Sequence, residues 1–177
     1  MKSIFRFSQD GFDAELDRLV RRGAADGASV EGTVRAILDD VADRGDAALL
    51  AYTERFDGLN VPAEALRVPE EALERAWREI PPRDQECLNL AAHRIRAFHE
   101  HQKTRSWFVE EEGVVLGQRV TPLDSVGLYA PGGTASYPSS VLMNALPAVV
   151  AGVGRVVLVS PTPRGEANPH VLAAAWV

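Results

Sequence analysis

Apolar positions recur every three or four residues through the first hundred positions of the chain, then give way to short unbroken runs. The first pattern predicts amphipathic helices and the second predicts buried strands. Phe12, Leu16, Leu19 and Val20 share one helical face, and Gly23 offers a stop. Val34, Ile37, Leu38 and Val41 share the next, stopped by Gly45. Asp46 is placed to cap a helix carrying Leu49, Tyr52 and Phe56, which Gly58 ends. Leu73, Ala76, Trp77 and Ile80 line a fourth helix beginning near Pro69. Leu88, Ala91, Ile95 and Phe98 line a fifth, over residues 83–103. Residues 114–120 then read as a strand.

From residue 126 the order is a short apolar run (126–129), a turn rich in Pro and Gly (130–133), a helix-length segment near 139–152, and a β-branched run over 156–160. Strand, glycine turn, helix, strand is the order of a βαβ unit, and its crossover makes the two strands parallel. Such units bind ligands beyond the carboxyl ends of their strands, often with a phosphate at the helix N-terminus. The candidate binding element is therefore the loop over residues 129–140. Pro147 falls inside the helical segment and is expected to kink it or start a new turn.

Charge sharpens this division. Residues 1–110 hold 16 of the 19 Lys and Arg and 21 of the 25 Asp and Glu. The sequence therefore predicts two regions, a mainly helical one over residues 1–110 and an α/β one over residues 111–177. A net charge of −6 argues against a nucleic-acid partner, which needs a basic surface. The apolar stretch 141–159 is broken by Pro147, Gly152, Gly154 and Arg155, so a buried helix and strand are expected rather than a membrane span. Residues 1–12 carry no apolar signal-peptide core, and the single Cys87 excludes an intramolecular disulfide. Asn168 and Pro169 suit the start of a last helix, which reaches only the apolar Val177. This uncapped end reads as a truncation.

The chemistry-bearing residues are few. Pro131-Gly132-Gly133 after a strand leaves room for a ligand to approach the backbone, or is a tight structural turn. It does not match G-x-G-x-x-G, and the helix after it lacks G-x-S-x-G. Ser139, Ser140 and Asn144 are placed to cap the helix start or to meet a ligand, and capping is the expected role. His93, His99 and His101 share one predicted helix, but their spacings of six and two do not make a metal pair. His170 stands apart, and Cys87 has no neighbouring base. No zinc site and no catalytic residue is read from the chain.

The segment GLYAPGGTASYPSSVLMNALPA closely resembles the corresponding part of histidinol dehydrogenases. RGDAALLAYTERFDG, RIRAFHEHQ and LGQRVTPLDSVGLY resemble the same family in the same order. The resemblance covers nearly the whole chain and is weakest over the first two dozen residues. It implies an α/β fold, in which a helical N-terminal region precedes an incomplete Rossmann-like parallel βαβ domain. It also implies that Tyr129, with Pro131, Gly132 and Gly133, lies along bound NAD. The family oxidises L-histidinol to L-histidine with two NAD, uses zinc, and is a cytoplasmic homodimer. The family enzyme is much longer, and its zinc ligands and catalytic Glu-His pair lie later in the chain. An N-terminal fragment without turnover of its own is therefore expected. A fragment of a related dehydrogenase of another small alcohol, such as a sulfopropanediol, is the nearer alternative. A non-catalytic module that binds a partner through its apolar second half is the farther one.

Overall fold

A computed structural model describes residues 7, 10–132 and 136–177. The order of elements is α1 (Phe12–Arg44), α2 (Asp46–Asp57), α3 (Glu70–Glu79), α4 (Pro82–Glu100), β1 (Trp107–Glu111), β2 (Val114–Gln118), β3 (Ser125–Tyr129), α5 (Pro138–Ala151), β4 (Arg155–Val159) and α6 (Pro169–Trp176). Mixed helix and sheet was the expected class. The chain divides into two compact units, one reaching Tyr52 and one running from Thr53 to Val177.

In the first unit, α1 is one helix of 33 residues. Gly23 does not stop it, contrary to the sequence reading. A glycine inside a helix costs about 1 kcal/mol relative to alanine, which weakens a helix without breaking it when neither a proline nor a left-handed turn follows. Gly45 does stop it: at φ 57 its N–H donates to Val41 O at 2.9 Å. Asp46 is then the first residue of α2 rather than its cap. Arg44 donates to both carboxylate oxygens of Asp40 at 2.6 Å. These bonds, with a smaller one from Tyr52, lower the Asp40 pKa to about 2. Much of the predicted apolar face, including Leu16, Leu19, Val34 and Leu38, is exposed.

In the second unit the helices pack as α3 on α6, α4 on α5, and α5 on both α6 and the sheet. Pro69 and Pro81 precede α3 and α4, and Pro169 opens α6. The Asn168 side chain accepts from the N–H groups of His170 (2.9 Å) and Val171 (3.3 Å), as its sequence position predicts. The core gathers Leu88 and Ala92 of α4, Val141, Leu142 and Leu146 of α5, and Val171 and Ala174 of α6. Burying side chains of this size contributes about 1.5–3 kcal/mol each, which makes α5 the centre of the unit. The helix runs through Pro147 without a break in its span.

The predicted βαβ unit is present. β3 and β4 pair in parallel, Ser125 opposite Arg155 and Tyr129 opposite Val159, with α5 as the crossover. The strand at 114–118 is also present, but its partner β1 escapes the sequence reading. The two form an antiparallel hairpin, Trp107 opposite Gln118. Glu112 (φ 45) and Gly113 (φ 82) make its two-residue turn, where Asn-Gly is the readable signal and Glu-Gly is not. The Phe108 ring lies against Gly117, its cross-strand partner. All ten strand positions of the hairpin are exposed.

Candidate functional site at the carboxyl end of β3

The loop after β3 begins where Pro131, which has no N–H, ends the ladder. Just before it, Ala130 is fully buried, and its N–H donates to Val159 O at 3.0 Å. Tyr137 N–H donates back to Pro131 O at 3.2 Å, which closes the loop at the foot of α5. Pro138 then opens α5. The loop therefore stands at the carboxyl ends of β3 and β4, next to a helix N-terminus, as the βαβ reading requires.

Tyr129 is the last residue of β3. Along both strands the even-numbered positions are half-buried and the odd-numbered ones exposed. Since α5 packs on the sheet and Leu158 on the core, Tyr129 belongs to the opposite face, and it is 61% exposed. Its carbonyl accepts from Asn144 Nδ2 at 3.4 Å, so α5 tethers the strand end. Pro131 is half-buried and Gly132 is buried. Gly133 lies outside the described residues.

Of the two roles its sequence leaves open for Gly132, the structure shows a packing one. A Cβ at this position would overlap Ser160 Oγ and stand 2.9 Å from Pro161 O. Glycine is needed here so that the ends of β3 and β4 can meet. The space its missing side chain leaves is filled by the chain itself.

Ser139 and Ser140 do not cap α5. Its N-cap is Tyr137, which makes no side-chain cap bond, and Pro138 sets the helix start ahead of both serines. Among the described residues the first turn of α5 thus has no capping side chain, and its N-terminal N–H groups keep their preference for a negative charge.

The remaining candidates are scattered. His93 and His99 lie on α4, where His99 Nδ1 is 2.6 Å from Gln102 Oε1, and His101 is the C-cap. Cys87 is exposed on the same helix. His170 is not isolated: its Nε2 is 2.8 Å from Asp84 Oδ2, which joins the first turns of α6 and α4. Among the described residues no three His, Cys, Asp or Glu side chains converge on a point where a metal ion would sit. Nor, among them, is any helix long and apolar enough to cross a membrane.

Sequence reasoning missed the Asn144 tether, the Ser160-Pro161 contact and the His170–Asp84 pair. Each joins residues from different elements, and no spacing within one element signals it.

The family model for histidinol dehydrogenase matches residues 20–177. The histidinol dehydrogenase of Syntrophotalea carbinolica is 52% identical over 176 residues, which is 99% of this chain and 41% of that protein. That of Burkholderia lata is 54% identical over 171 residues, covering 93% and 39% respectively. The crystal structure of histidinol dehydrogenase from Elizabethkingia anophelis superposes with a TM-score of 0.73 at 30% identity, over 82% of this chain and 34% of that one. The chain therefore spans about two fifths of the length of the curated relatives it matches.

Proposed function

This chain belongs to the histidinol dehydrogenase family, and we propose that it supplies one wall of the NAD site in an oxidoreductase of histidine biosynthesis. The reaction is the oxidation of L-histidinol to L-histidine with two NAD, in a cytoplasmic homodimer. NAD, when bound, accepts hydride from the substrate. The observation that carries the reading is the loop after β3, which stands at the carboxyl end of a parallel βαβ unit. The exposed Tyr129 ends β3, and the loop after it leads into the first turn of the 14-residue α5.

Within this proposal Tyr129 packs against the cofactor, and Pro131, Gly132 and Gly133 shape the loop that approaches it. Gly132 acts through the fold, since it lets Ser160 and Pro161 close against the loop. The division into a helical region over residues 1–110 and a nucleotide-binding region over 111–177 belongs to the same proposal. Zinc is different. Among the described residues no donor set fits it, and its ligands are expected in the part of the family's length that this chain does not match. The acid-base groups are expected there too, and no NADH formation is expected from the 177 residues alone.

Titration calorimetry of the chain with NAD tests the cofactor wall. Binding is expected to weaken about tenfold in Tyr129→Ala, corresponding to about 1.4 kcal/mol, with an unchanged circular dichroism spectrum. NAD affinity equal in the two proteins would count against Tyr129 as a cofactor contact.

A further inference from the structure

One peptide unit of the candidate site is held from both sides. It joins Tyr129, the last residue of β3, to the fully buried Ala130. Its N–H donates to Val159 O of β4 at 3.0 Å. Its C=O points the opposite way, as in any planar trans unit, and accepts from Asn144 Nδ2 of α5 at 3.4 Å. β4 and α5 together fix the plane of this unit, where the strand gives way to the loop. That plane sets ψ of Tyr129 and φ of Ala130, and so the frame from which the Tyr129 ring projects.

Asparagine is otherwise out of place here. It is the one polar side chain between Val141 and Ala151. It stands inside α5, where asparagine supports a helix less well than alanine or leucine, because its amide competes for backbone groups. It adds nothing to the core either, being exposed while Val141, Leu142 and Leu146 near it are buried. Neither helix formation nor packing accounts for the amide, whereas its bond to Tyr129 O does.

We propose that Asn144 is a positioning residue, whose amide holds the Tyr129–Ala130 peptide so that the Tyr129 ring meets NAD in one orientation. The inference rests on the reading in which Tyr129 packs against the cofactor, and it adds a residue that acts only through Tyr129. A ring held in place before the cofactor arrives needs less ordering on binding.

Titration calorimetry with NAD on four forms of the 177-residue chain tests it: the unchanged chain, Asn144→Leu, Tyr129→Ala and the two substitutions together. Asn144→Leu removes the donor and introduces a better helix former, so the melting temperature is expected to be unchanged or slightly raised. Its NAD affinity is expected to fall about fivefold, the scale of one lost hydrogen bond. In the Tyr129→Ala background the same substitution is expected to change affinity by less than about twofold, since no ring is left to position. A merely structural role would weaken binding equally in both backgrounds. Asn144→Asp keeps the shape of the side chain without an amide donor, and is expected to repeat the loss. Without cofactor, amide exchange of Ala130 is expected to quicken about threefold in Asn144→Leu, because its peptide is then held from one side only.

Unchanged affinity in Asn144→Leu, beside weakened binding in Tyr129→Ala, would overturn the positioning role and leave the cofactor wall standing. Equal losses in both backgrounds, or unchanged Ala130 exchange, would do the same. NAD affinity indifferent to Tyr129→Ala, or no NAD binding by the chain, would remove the cofactor wall itself and the positioning role with it.

Discussion

At the scale of single residues, the loop after β3 gives one glycine a packing role, whatever ligand approaches it. Pro131-Gly132 marks the end of a strand, and the structure puts it there. What the missing Cβ accommodates is Ser160 and Pro161. Gly132→Val is therefore expected to lower the stability of the second unit by about 1–3 kcal/mol through overpacking, whether or not NAD is present. Urea unfolding measures this, and a wild-type midpoint would remove the packing argument. Asp40 supports a second prediction. Its carboxylate accepts from Arg44, so its pKa lies below the unfolded value of 3.8, at about 2. A lowered pKa stabilises the folded form above the unfolded value, and this contribution is lost as pH falls from about 4 toward 2. NMR titration of the Asp40 carboxyl should give a midpoint near 2, and Asp40→Asn should remove that step from the acid unfolding profile of α1. A midpoint near the ordinary value would show that the pair does not persist in water.

At the scale of elements, the sequence was legible wherever a local pattern decides the structure. α3 and α4 follow from apolar stripes begun by prolines, and α6 from Asn168-Pro169. β3, α5 and β4 follow from apolar runs punctuated by Pro and Gly, and their parallel pairing follows from the crossover. β1 was not legible. Its residues Trp107 to Glu111 show neither alternation nor a closed apolar run, and only pairing with β2 makes them a strand. Sequence pattern alone divides α1 in two if Gly23 is given the weight of a stop, which only a glycine at positive φ such as Gly45 has here. Gly32 makes this testable, since it lies inside α1 and an added Cβ meets nothing within 4 Å. Gly32→Ala should stabilise the first unit by about 1 kcal/mol, read as a higher denaturant midpoint for its helical signal. A lower midpoint would mean that the helix is interrupted there in solution. The candidate site was legible as a position in the topology, but its inner contacts were not, because Asn144, Ser160 and Pro161 reach it from other elements.

At the scale of the whole molecule, the central proposal is that this chain, a member of the histidinol dehydrogenase family, carries part of the cofactor site, with the chemistry completed by the part of the family's length it does not match. Two features agree with it: the exposed Tyr129 at a strand end, and a match to about two fifths of the curated relatives. The most direct measurement is steady-state NADH formation from histidinol. It compares the 177-residue chain, a hybrid in which that chain is continued by the remainder of the 52% identical relative, and the same hybrid carrying Tyr129→Ala. The account predicts no NADH from the chain alone and turnover by the hybrid. In the variant it predicts a KM for NAD raised about tenfold, with the KM for histidinol changed less than about twofold. NADH formation by the chain alone, or equal rises in both KM values, would contradict it.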